Sequence, residues 1–398
     1  MMIKSKHIVP SLLLGLLLST ATATAQLKPV SDWMESLVDS GKVVGCMVQV
    51  TQNGETIFLD AVGDRTPDSD EDLETDQVIR IYSMSKAITS AAVMQLIEQE
   101  KLGIDDPVSM YIPEFADAKV SVDGTLQPTR RPITVRDLLT HTSGLAYDFS
   151  APPHLVPDYK DKMANVKNLE EAAIVMANMP LVSQPGQAWV YGLNTDVLGR
   201  IVEVVSETEF ELYLREHIFH PLAMHDTGFT PDDAIELMHI VTDRNGTLVI
   251  DQGHYKGGSK ILKPDFQSGG GGLWSTIGDY TRFCQAMEQM GELGGNRILE
   301  PETVAFMTQN QLGPGMAKGP NQRFGLGFGM QAPVPTSAGP RGGGRWTWGG
   351  AACTYFFIDP RQNVTAVFAT QQFPFNGQMG EAFHRVVLEA MAQRESSQ

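Results

Sequence analysis

Cysteine is scarce in this chain: three among 398 residues, Cys46, Cys284 and Cys353, with no spacing that makes a metal site. Cys46 and Cys353 lie in apolar, strand-like runs, which predicts buried free thiols; one disulfide and a spare thiol is the alternative in an oxidising compartment. Basic residues are also in deficit, 30 Lys and Arg against 47 Asp and Glu, for a formal charge of -17. That balance argues against nucleic acid or anionic lipid as a partner and reads as a solvated acidic surface. Beyond the first two dozen residues, no run approaches the roughly 18 apolar residues needed to span a bilayer. No internal repeat is visible, and nothing implies a metal or organic cofactor.

What is present begins with an export signal. Lys4 and Lys6 are basic, Leu12 to Leu18 is apolar, and Ala23-Thr24-Ala25 is a small-residue cleavage site. Removal of residues 1–25 leaves 26–398 as an exported, periplasmic or secreted protein. No cysteine follows the cut, which argues against a lipid anchor. With 42% apolar residues the remainder can bury a large core. Ser31 to Val38 reads as a helix, and Val43 to Val50 and Thr56 to Val62 as strands joined by the hairpin signal Asn53-Gly54. Strand signals return only at Arg345 to Trp348, Cys353 to Ile358 and Val364 to Ala369, followed by a helix from Gly380 to Ala392. The middle is mainly helical: Thr134 caps a short helix closed by Gly144, Leu193 to Val205 carries a buried stripe, and Ser275 or Thr276 caps Ile277 to Met290. The pattern predicts an α/β (α+β) fold in which sheet pieces from 27–82 and 320–398 meet around a helical lobe, 83–319. The antiparallel sheet would be flanked by the terminal helices, with a cleft between the lobes.

Ser83-Met84-Ser85-Lys86 follows the strand-like lead-in Ile79 to Tyr82 and opens a helix to Glu100. Residues three apart lie on one helical face, about 5–6 Å apart at Cβ, so Lys86 can reach the Ser83 hydroxyl. Burial would lower the lysine's proton affinity and let a neutral amine take the serine proton. Ser85 points to another face and is a weaker nucleophile candidate. Two later segments supply partners. Trp189-Val190-Tyr191-Gly192-Leu193 offers a tyrosine that could pass a proton to a leaving group. Trp346-Thr347-Trp348-Gly349-Gly350-Ala351 offers a glycine-edged strand along which a substrate can lie, and an Ala351 N–H that with the Ser83 N–H would form an oxyanion hole.

In this order the three segments resemble the serine β-lactamase and penicillin-binding-protein superfamily, nearest to its class C-like family VIII carboxylesterases. Leu102 to Val108, Ile133 to Leu145, His220 to Met224, Asp196 to Arg200 and Gly270 to Ser275 extend the resemblance over most of the chain. It implies a β-lactamase/transpeptidase-like fold, Ser83 as acylated nucleophile, Lys86 as its base and Tyr191 as the tyrosine of the second element. It sets Trp348-Gly349-Gly350 where other members have Lys-Thr-Gly, and His141 in a structural segment beside the site.

The departures bear on substrate. Where the family's second element usually reads Tyr-x-Asn, position 193 is leucine; Asn194 comes one residue late and is turned by about 100°. The lysine that helps bind a substrate carboxylate is replaced by Trp348, and Arg345 alternates with Trp346 and Trp348 and faces away. Trp189, Trp346 and Trp348 would line an apolar pocket. The expected activity is hydrolysis of neutral, small-molecule carboxylic esters through an acyl-enzyme. The alternatives are action on β-lactams or D-amino acyl peptides, acyl transfer, and a catalytically idle binding protein for cell-wall fragments. No Gly-x-Ser-x-Gly elbow occurs, which argues against the α/β-hydrolase esterases. Oligomeric state is not encoded in any pattern seen here.

Overall fold

The computed structural model describes residues 27–397 apart from 164–165, 232–236, 252–265, 318, 320 and 337–343, so the signal segment lies outside the described residues. Helix α1 (Lys28–Asp39) leads into strands β1 (Gly45–Gln52) and β2 (Glu55–Gly63). Their turn carries Asn53 and Gly54 at φ 52° and 80°, the left-handed pair that a two-residue hairpin requires. The long middle contributes α2 (Ser85–Glu98), α3 (Asn194–Ser206) and α4 (Ile277–Glu288). The chain then returns to the sheet through β3 (Arg323–Phe324), β4 (Gly329–Gln331), β5 (Arg345–Gly350), β6 (Thr354–Asp359) and β7 (Val364–Ala369), and ends in α5 (Gly377–Ser396).

The two ends of the chain build one seven-stranded sheet of order β3-β4-β5-β6-β7-β1-β2, antiparallel at every pair. β1 pairs with β7, Met47 opposite Ala369 and Gln52 opposite Val364, which joins the first strand of the chain to its last long one. Both faces are covered. Cys46, Val48, Val50, Phe357, Ala366 and Phe368 pack against α1 and α5, while Met47, Phe356, Ile358, Val367 and Ala369 join the second core, which includes α4. That is why β6 and β7 are buried at every position and read as continuous apolar runs instead of alternating ones. Cys46, Cys284 and Cys353 are buried and unpaired.

Helix α2 is buried along its length from Ser85 to Leu96. Apart from Lys86 and Gln95 its buried side chains are apolar or small on all sides, as in a helix at the centre of a core. α3 packs across it, and Thr276 caps α4 by accepting the Asp279 N–H at 3.1 Å. The short strands β3, at the sheet edge, and β4 beside it were not expected; they are only two and three residues long. β4 reaches only as far as Thr347 of β5, so Trp348, Gly349 and Gly350 present their outer edge to the space between sheet and helices.

The aromatic centre of that second core should be costly to remove. Phe356 is fully buried, 5.2 Å from the Tyr280 ring and 6.2 Å from that of Phe328. Phe356→Ala should lower stability by about 3–5 kcal/mol in urea denaturation; a loss under about 1 kcal/mol would mean that the sheet and α4 are not packed through this ring.

Candidate active site

The sequence around Ser83 folds into a tighter geometry than a simple helix start. Ile79–Arg80 is a two-residue strand paired with Trp274–Ser275, Tyr82–Met84 is a 3-10 turn, and the α-helix begins only at Ser85. The first internal bond of the turn runs from Met84 N–H to Ile81 O at 3.1 Å, so the Ser83 N–H lies ahead of it with no partner in the turn. Tyr82 sits at φ 46°, an unusual angle for a side chain of its size. Ser85, the other candidate serine, is fully buried and donates its hydroxyl to Tyr82 O at 2.6 Å, away from the cavity.

Lys86 is buried and donates three hydrogen bonds: to Ser83 Oγ at 3.2 Å, to the Tyr147 hydroxyl at 3.0 Å and to Gly270 O at 2.5 Å. Three donors match three acceptors, the pattern of an ammonium. The expected lowering of its proton affinity is reversed. Burial does lower it, but Tyr147, Tyr191 and Asp196 together outweigh burial and raise it above the ordinary lysine value. The Tyr191 hydroxyl donates to Ser83 Oγ at 2.7 Å and accepts from Trp348 Nε1 at 3.3 Å. Ser83, Lys86, Tyr191 and Trp348 thus come together from three separate segments, the first carrying both Ser83 and Lys86.

Tyr147 is the member that sequence reading missed. It lies in the loop after the Thr134-capped helix, in no recognisable motif, and its phenol is pushed up by burial. Its ring stacks on Phe149 at 5.1 Å and meets Tyr191 at 5.3 Å. The signal available in the sequence was only an aromatic pair, Tyr147 and Phe149, closely following the Ile133 to Leu145 segment.

Gly350 and Ala351 lie beside the serine turn. A Cβ at Gly350 would stand 2.4 Å from Ile81 O, so only glycine lets the strand approach this closely. Ala351 begins the turn out of β5 and, with Ser83, Gly349 and Gly350, lines one cavity of about 1440 Å³. Its aromatic wall is Trp189, Tyr191, Phe324, Trp348 and, at the mouth, the exposed Phe149. Trp189 stacks on Tyr191 at 6.0 Å, and Trp348 meets Phe324 edge-on at 5.3 Å. Trp346, expected in this wall, instead packs in the core near Phe328.

The remaining sequence candidates support the wall without entering it. Asn194 is fully buried, bonded to Ser143 and, at 2.8 Å, to His141 Nδ1, so it faces away from the cavity that Leu193 lines. His141 packs against Tyr191 and Phe324, and burial and the Lys86 charge hold its proton affinity well below the usual histidine value. Arg345 is buried on the opposite face of β5 over Phe357, with its proton affinity lowered to about 10 by burial, against the pull of Asp359. Among the described residues no cluster of His, Cys, Asp and Glu has the makings of a metal site.

The chain is similar to known proteins along most of its length. Residues 30–391 match the family model for beta-lactamase. Lovastatin esterase of Penicillium rubens is 30% identical over 383 residues, covering 87% of this chain and 93% of that one. Esterase EstB of Burkholderia gladioli is 29% identical, covering 89% and 91%. The structure of EstCE1, a hydrolase with promiscuous acyltransferase activity, superimposes with a TM-score of 0.78 at 26% identity over 94% of this chain and all of that one. Unliganded simvastatin synthase of Aspergillus terreus matches with a TM-score of 0.78 at 25% identity, over 92% and 98% of the two chains. With its sheet, its serine turn and its Trp348-Gly349-Gly350 edge, this chain belongs to the beta-lactamase family, as a serine hydrolase beside the family VIII esterases and their acyltransferase relatives.

Proposed function

We propose that this protein is an exported esterase that cleaves neutral carboxylic esters through an acyl-enzyme on Ser83. The observation that carries the reading is the shared hydroxyl: Ser83 Oγ accepts from both Lys86 and Tyr191, at 3.2 and 2.7 Å, at the floor of a large aromatic cavity. Ser83 Oγ forms a bond to the ester carbon. Its proton passes to the Tyr191 oxygen as Tyr191 gives its own proton to the departing alkoxide, which leaves as the alcohol. Water then repeats the steps in reverse, gives its proton through Tyr191 to Ser83 and releases the acid.

Lys86 serves in this scheme as a fixed cation, not as the base that its burial alone would suggest. Its three hydrogen bonds and its raised proton affinity support that role. The N–H groups of Ser83 and Ala351 would hold the oxyanion, supported by the free first turn at Ser83 and the close approach of Gly350 to Ile81. Substrate choice follows from the wall. Trp348 stands where a cation would greet a carboxylate, and the indole and phenol faces of Trp189, Phe324 and Trp348 favour apolar acyl or alcohol groups. Export rests on the segment before Gln26. A second reading, transfer of the acyl group to an acceptor alcohol, is favoured by the likeness to EstCE1.

Ser83→Ala should abolish turnover of a short p-nitrophenyl ester, and undiminished activity would place the nucleophile elsewhere. The wild-type protein should hydrolyse that ester far faster than a chromogenic cephalosporin; equal efficiency would overturn the substrate assignment. Tyr147→Phe removes one partner of a buried ammonium, a bond worth about 1.5–3 kcal/mol, so kcat/KM should fall by about 10- to 100-fold. An unchanged kcat/KM would show that Tyr147 is packing alone.

A further inference from the structure

A buried ammonium needs a counter-charge. The three partners of Lys86, two hydroxyls and a carbonyl, are formally neutral. Asp196, in the first turn of α3, is 3% exposed. Its Oδ1 accepts from Ser268 Oγ at 2.5 Å and from the Gly270 N–H at 3.2 Å, and Gly270 is the residue whose carbonyl receives Lys86. Its other oxygen points the same way. A Cβ at Gly270 would lie 2.6 Å from Asp196 Oδ2 and 3.0 Å from the Tyr147 hydroxyl, so carboxylate and phenol face each other across a residue with no room for a side chain. One glycine is therefore gripped by the carboxylate at its N–H and by the ammonium at its C=O.

We propose that Asp196 is a positioning residue for this site. Its carboxylate balances the Lys86 ammonium and, through Gly270, sets the carbonyl that fixes Lys86 beneath Ser83. The proposal rests on the reading of Ser83 as nucleophile. The charges act in both directions: burial raises the carboxyl's proton affinity while Ser268, Lys86 and the Gly270 N–H oppose it, and Asp196 in turn helps Lys86 keep its proton. The other titratable groups facing Lys86 are Tyr147, from the loop before Asp148–Ser150, and Tyr191, just ahead of α3; His141, after Val135–Leu139, feels the Lys86 charge. Neither phenol nor imidazole supplies a negative charge at neutral pH. Asp196 can.

The active state then needs Lys86 protonated and Asp196 ionised. Activity is present below the lysine's pKa and above the carboxyl's, and is lost outside that window. The test follows the rate at which an activated alkyl fluorophosphonate labels Ser83, as a function of pH, in the full-length protein. Asp196→Asn keeps an oxygen for the Ser268 and Gly270 donors but removes the charge, so the alkaline limb should move down by about one pH unit or more. Asp196→Glu restores the charge and should return the limb towards its wild-type position. Ser268→Ala withdraws a donor from the carboxylate, raises its proton affinity and should move the acid limb up. This arm decides alone if Asp196→Asn does not fold. An unmoved alkaline limb in folded Asp196→Asn, a limb displaced as far in Asp196→Glu, or an unmoved acid limb in Ser268→Ala overturns the counter-ion. No labelling of Ser83 in the wild-type protein overturns the nucleophile itself, and the counter-ion with it.

Discussion

The arrangement around the Lys86 ammonium governs the rest of the site. A charge this deeply buried is tolerated only when every N–H is satisfied and an opposite charge is close. Each requirement recruits a different part of the chain: Ser83 from the turn ahead of α2, Tyr147 from the loop after the Thr134-capped helix, Gly270 from the segment before Trp274–Ser275, and Asp196 from α3. The polar groups of the site are consequently bonded to one another before substrate arrives. Preorganised charge of this kind is worth most where water is excluded, and that is the environment in which a developing alkoxide must be met.

The sheet contributes position. Because β1 pairs with β7, the ends of the chain close around the helical insertion, and β5 is brought alongside the serine turn with an outer edge that β4 leaves open beyond Thr347. Gly350 permits contact with Ile81 that no side chain would allow. The apolar wall and the polar floor then meet at Tyr191, whose hydroxyl joins Ser83 to the Trp348 indole. One residue thereby joins the proposed nucleophile to the aromatic wall, so the proposed chemistry and the proposed substrate choice meet at one hydroxyl.

Much of this was legible in the chain. The hairpin at Asn53-Gly54, the strand Val364–Ala369 and the caps at Thr134 and Thr276 depend on local conformational preference and fold where the residues say, and the strand expected from Cys353 to Ile358 forms one residue later, at Thr354–Asp359. The turning away of Asn194 and Arg345 followed from helical and strand periodicity. Other features were hidden because they arise from neighbours distant in sequence. Trp346 and Trp348 share a face, yet one packs in the core and the other lines the cavity, because the elements laid over that face differ along its length. Tyr147 carries no motif. The direction of the Lys86 shift was misjudged because burial is readable from sequence and the company a buried group keeps is not.

By itself the sequence determined the family and the order of its three elements, and it supplied the side chains proposed to react, because these depend on residue type and local spacing. Tertiary structure decided what those side chains can do. It set three acceptors and a carboxylate around Lys86, opened one edge of β5 and enclosed an aromatic cavity between segments hundreds of residues apart. Protonation state and pocket shape are sums over everything nearby, and nearness across a fold is settled only when the core has packed.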